Sequence, residues 1–417
     1  MLLEFSCSNH KSIKEKILFS TLAGTDDTYI EKTIPFLDNK ILRTSIIYGA
    51  NDSGKSNFID ALSFVKNLVI NSFSNQIGQG IRQIPYKLQS ATTDSTYQIQ
   101  FATKNTRFIY GFTLNNYLVK EEYLYYTPNG RQTKIFERKF NNFTVGSSNK
   151  FKGKLNSCKE VLKENKLLLS YAANFSNVEE IIDAYKFFSE DLVIFNHLNI
   201  NNWIKYSLYQ IHLDNNIKQN VIEFINSFGM KIKDIDVKID KKKIEESFFP
   251  PFLSQEFKNL LLNKDIDAIS ANVIYKDFST NLMNEESSGV YKLFALVCPI
   301  LDILSKNKVL ICDELESNLH ESLLYKIVEI FSNAPQNNSS QLIFTTHETG
   351  LLNLNLFRRD QVWFTELKDD RSTDLYSLAE LKNVRKDERL DKNYILGKYG
   401  AIPMLNKNFS KFYNSLN

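Results

Sequence analysis

Ser45-Ile46-Ile47-Tyr48, followed by Gly49-Ala50-Asn51-Asp52-Ser53-Gly54-Lys55-Ser56, reads as an apolar strand running into the pattern G-x-x-x-x-G-K-[ST]. A helical apolar period begins directly after it. Glycines at 49 and 54 let the backbone turn so that several N–H groups point at one centre, and the N-terminus of the following helix adds its partial positive charge. Such a loop cradles the phosphates of a nucleoside triphosphate. Gly49, Asn51, Ser53, Gly54, Lys55, Ser56 and Asn57 are therefore candidate nucleotide-binding residues. Lys55 is placed to reach the β and γ phosphates, and the Ser56 hydroxyl to help hold Mg²⁺. ATP and Mg²⁺ are the expected ligands.

A phosphate loop alone does not separate a kinase from a GTPase, a helicase or an ATPase of the ABC type, and three segments further along make the choice. Val309 to Glu314 is a short apolar strand ending in two acids. That order places Asp313 on the metal, directly or through water, and Glu314 beside the γ phosphate to polarise the attacking water. The alternative is a buried strand whose acids cap the next helix. Glu285-Glu286-Ser287-Ser288-Gly289 opens the apolar run from Tyr291 to Leu304. Ser287 and Gly289 at a helix N-terminus fit a second anion site, and equally an ordinary loop and cap. Leu342 to His347 is an apolar strand ending in two threonines and a histidine. A histidine in that place is commonly structural, but after the preceding three segments His347 reads as a γ-phosphate sensor.

In that order the segments resemble the ABC-type ATPases of the SMC, RecF and OLD branch rather than transporter cassettes. Phe5 to Ile13 resembles that branch's opening strand and its Asn-x-basic-Ser turn, which implies that Asn9, Lys11 and Ser12 line the nucleotide. Within the branch the chain is most similar to bacterial abortive-infection and antiphage ATPases of the AbiL and RloA type, related to the ATPase subunits of Septu and PARIS. The run from Asn9 to Ser12, Tyr48 to Ser56, Phe294-Ala295-Leu296 and the tail Gly397-Lys398-Tyr399-Gly400-Ala401-Ile402-Pro403 carry this resemblance. It implies an α/β fold: an ABC-type P-loop ATPase head with a mixed central sheet and an antiparallel β arm. It also implies that two copies sandwich ATP, with Ser287 and Gly289 acting in trans. Two departures stand out. His320 occupies the place where many relatives carry an aspartate that couples the two sites, so coupling could depend on pH. No convincing lid glutamine is found, Gln83 and Gln89 being the candidates.

The distance in sequence between Lys55 and Ser287 leaves room for a large insertion. Without sustained heptads between residues 140 and 285, a compact, mainly helical insertion is expected there and not a coiled-coil rod. The expected division is an N-terminal ATPase lobe over 1–140, the insertion over 141–271 as a possible effector-docking domain, and a C-terminal ATPase lobe over 272–417. Tyr97 to Thr103, Arg107 to Leu114 and Leu118 to Tyr126 alternate as antiparallel strands, and Ile41 to Tyr48 reads as one strand. Leu155 to Leu169, Val178 to Phe188, Trp203 to Leu213 and Val221 to Phe228 have helical periods, and Ile232 to Ile239 reads as a strand. Lys241-Lys242-Lys243 fits a solvated face or a nucleic-acid contact. Phe248-Phe249-Pro250-Pro251-Phe252 fits packing under the insertion or a partner-docking surface.

With 417 residues and 43% hydrophobic content the chain can bury one sizeable core and a smaller one. A net charge of +3 makes no general case for nucleic-acid binding. Cys7, Cys158, Cys298 and Cys312 lack zinc spacing and read as reduced thiols. No apolar run of membrane-spanning length and no export signal is apparent, so a cytoplasmic protein without a membrane partner is expected. The stretch after His347 is too short for the Toprim nuclease of OLD proteins, which implies a separate effector such as a nuclease or toxin. The leading expectation is an ATPase, forming a homodimer or higher oligomer, that senses a phage component and controls that effector. A RecF-like DNA clamp and an ATP-stabilised scaffold are the alternatives.

Overall fold

A computed structural model describes the chain apart from residues 91–92, 148–150, 152–154, 156–157, 159–161, 197–198, 244–264, 383, 386–387 and 404–417. The aromatic loop Phe248 to Phe252 and residues 156–157 and 159–161 of the expected Leu155 to Leu169 helix therefore lie outside the described residues; residues 162–167 are not helical, and the helix begins at Leu168. In chain order the strands are β1 (Leu2–Ser8), β2 (Ile17–Ser20), β3 (Thr33–Phe36), β4 (Asn39–Leu42), β5 (Thr44–Gly49), β6 (Ser95–Thr103), β7 (Thr106–Leu114), β8 (Val119–Thr127), β9 (Thr133–Lys139) and β10 (Asn142–Val145). They continue with β11 (Leu192–Phe195), β12 (Asp234–Lys243), β13 (Asp265–Ile274), β14 (Ser279–Asn281), β15 (Val309–Cys312), β16 (Gln341–Thr345), β17 (Val362–Leu367) and β18 (Thr373–Ser377). The helix after the phosphate loop is α1 (Lys55–Asn71).

The chain divides into two compact units. The first comprises Met1–Asn196, Ile303–Glu316 and Leu324–Asn417. It holds a central sheet of order β11-β15-β16-β5-β17-β18 and an antiparallel sheet of order β10-β9-β8-β7-β6-β1-β2. In the central sheet β11, β15, β16, β5 and β17 run parallel, and only β18 is antiparallel to its neighbour. The expected fold class, α/β with a mixed central sheet and an antiparallel arm, is what the chain forms. Parallel strands covered on both faces are apolar throughout, and Val309 to Cys312 and Leu342 to Phe344 are accordingly buried residue by residue.

Between the two sheets lies α1, burying Phe58, Ile59, Ala61, Leu62, Val65 and Val69. Phe58 meets Phe5 and Phe19 of the antiparallel sheet at ring separations of 5.8 and 5.3 Å, and Phe19 reaches Trp363 of the central sheet at 5.0 Å. Each fully buried ring of this kind contributes about 1.5–3 kcal/mol, so the helix that carries the phosphate loop is fixed from both sides. A buried carboxylate ties the arm to the following helix, Leu168–Phe175. Glu122 accepts the Leu168 and Leu169 N–H groups at 2.6 and 2.9 Å and the Tyr110 hydroxyl at 3.0 Å, with Arg138 at 3.4 Å. Burial raises its pKa against the opposing pull of Arg138.

Two local readings are corrected. Ile41 to Tyr48 is two strands in different sheets, because Arg43 breaks the run. Its buried guanidinium donates to the Asn338 and Pro335 carbonyls at 2.5 and 3.0 Å, at the point where the chain leaves β4 for β5. Leu192 to Phe195, inside the stretch read as helical, is the edge strand β11, paired in parallel with β15. The expected Val178 to Phe188 helix spans Glu179–Lys186 and ends in a wider turn over Phe187–Asp191.

The second unit comprises His197–Asp302 and Ser317–Leu323. It contains helices Ile200–Leu213 and Asn215–Ser227 and the sheet β12-β13-β14. Asp214 stops the first helix and caps the second, accepting the Asn216 N–H at 2.8 Å. The helix Ser288–Lys306 is long and apolar enough to cross a membrane by length and composition, contrary to the sequence reading. More than half of that window is buried within the protein.

Candidate active site

The registers align the chemistry at the carboxyl ends of the central strands, where open α/β sheets bind ligands. Cys312 pairs with Phe344, Thr345 with Ile47, and Thr365 with Gly49. Asp313, Thr345 and Gly49 therefore stand side by side at one edge of the sheet.

The phosphate loop is held from behind. Ser53 and Thr365 share a hydroxyl hydrogen bond at 2.7 Å, and Thr373 Oγ1 donates to the Ser53 carbonyl at 3.0 Å. Thr373 also meets the Ser12 hydroxyl at 2.7 Å, which accepts from Asn57 Nδ2 at 2.7 Å. Gly49 has no room for a side chain, since a Cβ would lie 2.6 Å from the Thr365 carbonyl. Gly54, at φ +104°, has a left-handed backbone and would press its Cβ to 2.7 Å from Thr373 Cγ2. Asn51 and Ser56 are exposed, Ser53 and Lys55 buried, and Asn57 half-buried.

Lys55 is folded onto its own loop, donating to the Gly49 and Ala50 carbonyls at 2.8 and 3.0 Å. Burial lowers its pKa to about 8, against the opposing pull of Glu316, Asp313 and Glu314. A lowered lysine pKa means the folded protein sheds this proton earlier than the unfolded chain, and a bound polyanion reverses that shift. Nucleotide binding at about pH 9 is therefore expected to take up close to one proton, an uptake that fades as the pH falls below about 8. Calorimetry in buffers of different ionisation enthalpy measures it, and the same uptake at low and high pH would remove Lys55 as its source.

On the neighbouring strand end, Asp313 is buried and accepts the Thr345 hydroxyl at 2.7 Å, while Thr345 Oγ1 accepts the Glu314 N–H at 2.8 Å. Glu314 is held at φ +49°, a conformation uncommon outside glycine, and Thr345 is the brace that keeps it there. The His347 N–H donates to Glu316 at 2.6 Å, and the residue is exposed. Its pKa is lowered by partial burial and then by the Lys55 ammonium, with the three acids opposing. Lys55, Asp313, Glu314 and His347 thus feel one another's charges and form one cluster.

A buried carboxylate with one oxygen engaged and an exposed hydroxyl are hard oxygen donors suited to Mg²⁺. Asp313 and Ser56 are the residues that would hold it. Among the described residues no group of three or more His, Cys, Asp or Glu could hold a metal ion by itself, so phosphate and water would supply the rest.

The Asn9 to Ser12 turn, to which the resemblance gives a nucleotide-lining role, adjoins the phosphate-loop helix through Ser12 and Asn57. Asn9 is buried, and its amide donates to the Thr93 and Asp94 carbonyls at 3.0 and 3.2 Å and accepts the Tyr86 N–H at 2.9 Å. It ties Tyr86, Thr93 and Asp94 to the start of the turn. His10 bridges the Tyr97 hydroxyl at 2.8 Å and Asp60 of α1 at 2.9 Å, and Lys11 reaches the same Asp60 at 2.8 Å. The turn thereby clamps β1 onto the phosphate-loop helix. Gln83 is buried and donates to Ser95, and Gln89 donates its N–H to the Tyr86 carbonyl.

In the second unit Ser287 starts the helix Ser288–Lys306, its hydroxyl accepting the Val290 N–H at 3.3 Å. A Cβ at Gly289 would lie 2.7 Å from the Asn318 carbonyl, and Lys292 donates to Ser317 at 2.7 Å. The Ser-x-Gly turn therefore packs on the segment that follows the acid pair. His320 Nδ1 accepts the Ser322 N–H at 3.2 Å and caps the helix Glu321–Ser332.

The tail has a structural account. Tyr394 lies 5.6 Å from both Tyr48 and Phe364, and its hydroxyl donates to the Ala401 carbonyl at 3.0 Å. Tyr376 donates to the Tyr399 carbonyl at 2.8 Å, and Tyr48 to the Glu348 carbonyl at 2.9 Å. Gly397 to Ala401 thus braces the residue just before the phosphate loop and, through Tyr48, the residue just after His347.

A phosphate loop on a central parallel strand, with an acid pair and a histidine at the ends of the next two, defines a P-loop ATPase head of the ABC and SMC type. Residues 45–353 match the family described as "AAA domain, putative AbiEii toxin, Type IV TA system", and the chain belongs to that family. Among proteins with curated descriptions, none matches. Solved structures similar to the chain include an SMC head bound to the C-winged helix domain of ScpA, 14% identical over 90% of this chain and 97% of that one, with a TM-score of 0.45. The SMC head domain from Thermotoga maritima is 14% identical over 90% and 98%, with a TM-score of 0.41. A Pyrococcus furiosus SMC head with an extended coiled coil, bound to the C-terminal domain of ScpA, is 11% identical over 91% and 97%, also at 0.41.

Proposed function

We propose that this protein hydrolyses ATP between two copies of itself and uses the cycle to control a separate effector, a nuclease or toxin, in antiphage defence. The observation that carries the ATPase reading is the cluster of Lys55, Asp313, Glu314 and His347 around one braced phosphate loop. The defence context is supported by the family, whose description names a toxin of a toxin–antitoxin system.

In this mechanism Lys55 leaves the Gly49 and Ala50 carbonyls for the β and γ phosphates, where its ammonium regains full charge. The Ser56 hydroxyl and Asp313 would hold Mg²⁺, whose charge would offset the negative charge of the phosphates. Glu314, aimed by Thr345, accepts a proton from the attacking water. His347 meets the γ phosphate. Ser287 and Gly289 of the second copy complete the clamp, offering a hydroxyl and helix N-terminal N–H groups to the γ phosphate. Little covalent chemistry falls to the protein, so positioning supplies the rate.

Purification of the protein together with the product of the neighbouring reading frame tests this directly. The expected result is a stable complex in which ATP turnover changes the partner's nuclease or toxic activity. A protein that binds no partner, and whose turnover rises on DNA with steep salt dependence, would replace this reading by a repair clamp.

A further inference from the structure

We propose that Glu316 is a positioning residue of the ATP site, its carboxylate fixing the backbone at His347 and so setting where the imidazole stands beside the phosphate loop. The role presupposes the ATP turnover proposed above.

Glu316 lies on the turn after the acid pair, and the Leu315 N–H donates to the Thr345 carbonyl at 3.2 Å, so this turn runs beside the end of β16. One carboxylate oxygen, Oε1, takes the His347 N–H at 2.6 Å. The other, Oε2, is buried without a hydrogen-bond partner. A half-engaged, half-stranded carboxylate is costly to keep unless a charge nearby uses it. The nearby charges are known: among the acids acting on Lys55 and on His347, Glu316 is the strongest for both. A single side chain therefore favours the charge of the lysine that would grip the phosphates and, by a hydrogen bond, holds the backbone of the histidine that would sense them. Charge-assisted bonds from a backbone N–H to a carboxylate are about twice as strong as neutral ones. Loss of this one frees the His347 backbone at the point where β16 has ended.

Glu316→Ala removes the acceptor, and Glu316→Gln keeps an acceptor oxygen while removing the charge. In E316A, exchange of the His347 amide, followed by NMR, should quicken about ten-fold or more. Its kcat should fall about ten-fold or more while KM moves less than about three-fold, the pattern of a group that aligns the transition state. E316Q should recover most of both. Unchanged kcat in E316A despite a faster-exchanging amide would overturn the role, as would a loss confined to KM or an E316Q as slow as E316A. If E316A fails to fold, Glu316→Asp decides, since its shorter side chain should lose the bond and the rate together; wild-type kcat in E316D overturns the role. Wild-type protein without ATP turnover would defeat the proposed function and this role with it, whereas turnover that E316A leaves intact would defeat this role alone.

Discussion

Replacing Glu314 by glutamine is expected to cut ATP turnover by roughly 10²- to 10⁴-fold while leaving ATP binding in place. Glutamine has the shape of glutamate, and the Glu314 N–H bond to Thr345 Oγ1 that braces the backbone is left in place, so the turn should survive the change. What is lost is the group that can take a proton from water. With binding intact and turnover blocked, the ATP-bound form accumulates. If closure requires two copies, mass action then turns that form into a dimer visible by light scattering, present with ATP and absent with ADP. Phosphate release measures the first effect and scattering the second. Equal turnover by variant and wild type would remove Glu314 from this chemistry. Full biological protection by a variant that does not turn over would instead favour the scaffold, in which ATP merely holds an assembly together.

The parts of this site that could be read from the sequence are those whose chemistry demands a residue type at a fixed spacing. Gly49, Gly54 and Lys55 are such a set, and Asp313-Glu314 at the end of an apolar strand is another. The bracing residues carry no such mark. Thr345, Thr365 and Thr373 are ordinary strand hydroxyls by sequence, and they matter because the register puts them behind the loop and the acid pair. The one available signal was a polar residue interrupting an apolar run, as Thr365 does in Val362–Leu367. Glu316 is one acid in a polar turn, with nothing in its spacing to mark it, and His320, the residue of that segment with a recognisable place, serves as a helix cap.

The fold divides along similar lines. The alternating strands β6, β7 and β8 expose one face to a different environment from the other, so their period was visible. The edge strand Leu192–Phe195 has only four residues and no period, and a short apolar run of that kind cannot be told from a piece of helix. Arg43 reads as one polar residue inside a long strand. Its meaning lies in the Asn338 and Pro335 carbonyls, far away in sequence, that take its charge. Asn9 shows the same limit from the other side: the turn was found, but the three backbone groups that occupy its side chain belong to a loop many residues distant.

Whether two chains share each ATP can be decided by mixing two inactive proteins. Lys55→Ala should remove the phosphate grip, and Ser287→Arg should block the turn offered to the opposite chain. Ser287 suits this purpose because it is exposed, whereas a side chain at Gly289 would collide with the Asn318 carbonyl and disturb the turn itself. Each variant alone should be close to inactive. In a two-fold dimer formed from one of each, one composite site takes its lysine from the Ser287 variant and its serine from the Lys55 variant, and is intact; the other site carries both lesions. Random pairing of equal amounts makes half the dimers mixed, each with one working site, so about a quarter of wild-type turnover should return. Differently sized tags show whether mixed dimers have formed. If they form and no activity returns, Ser287 does not act on its partner's nucleotide, and the site must be complete within one chain.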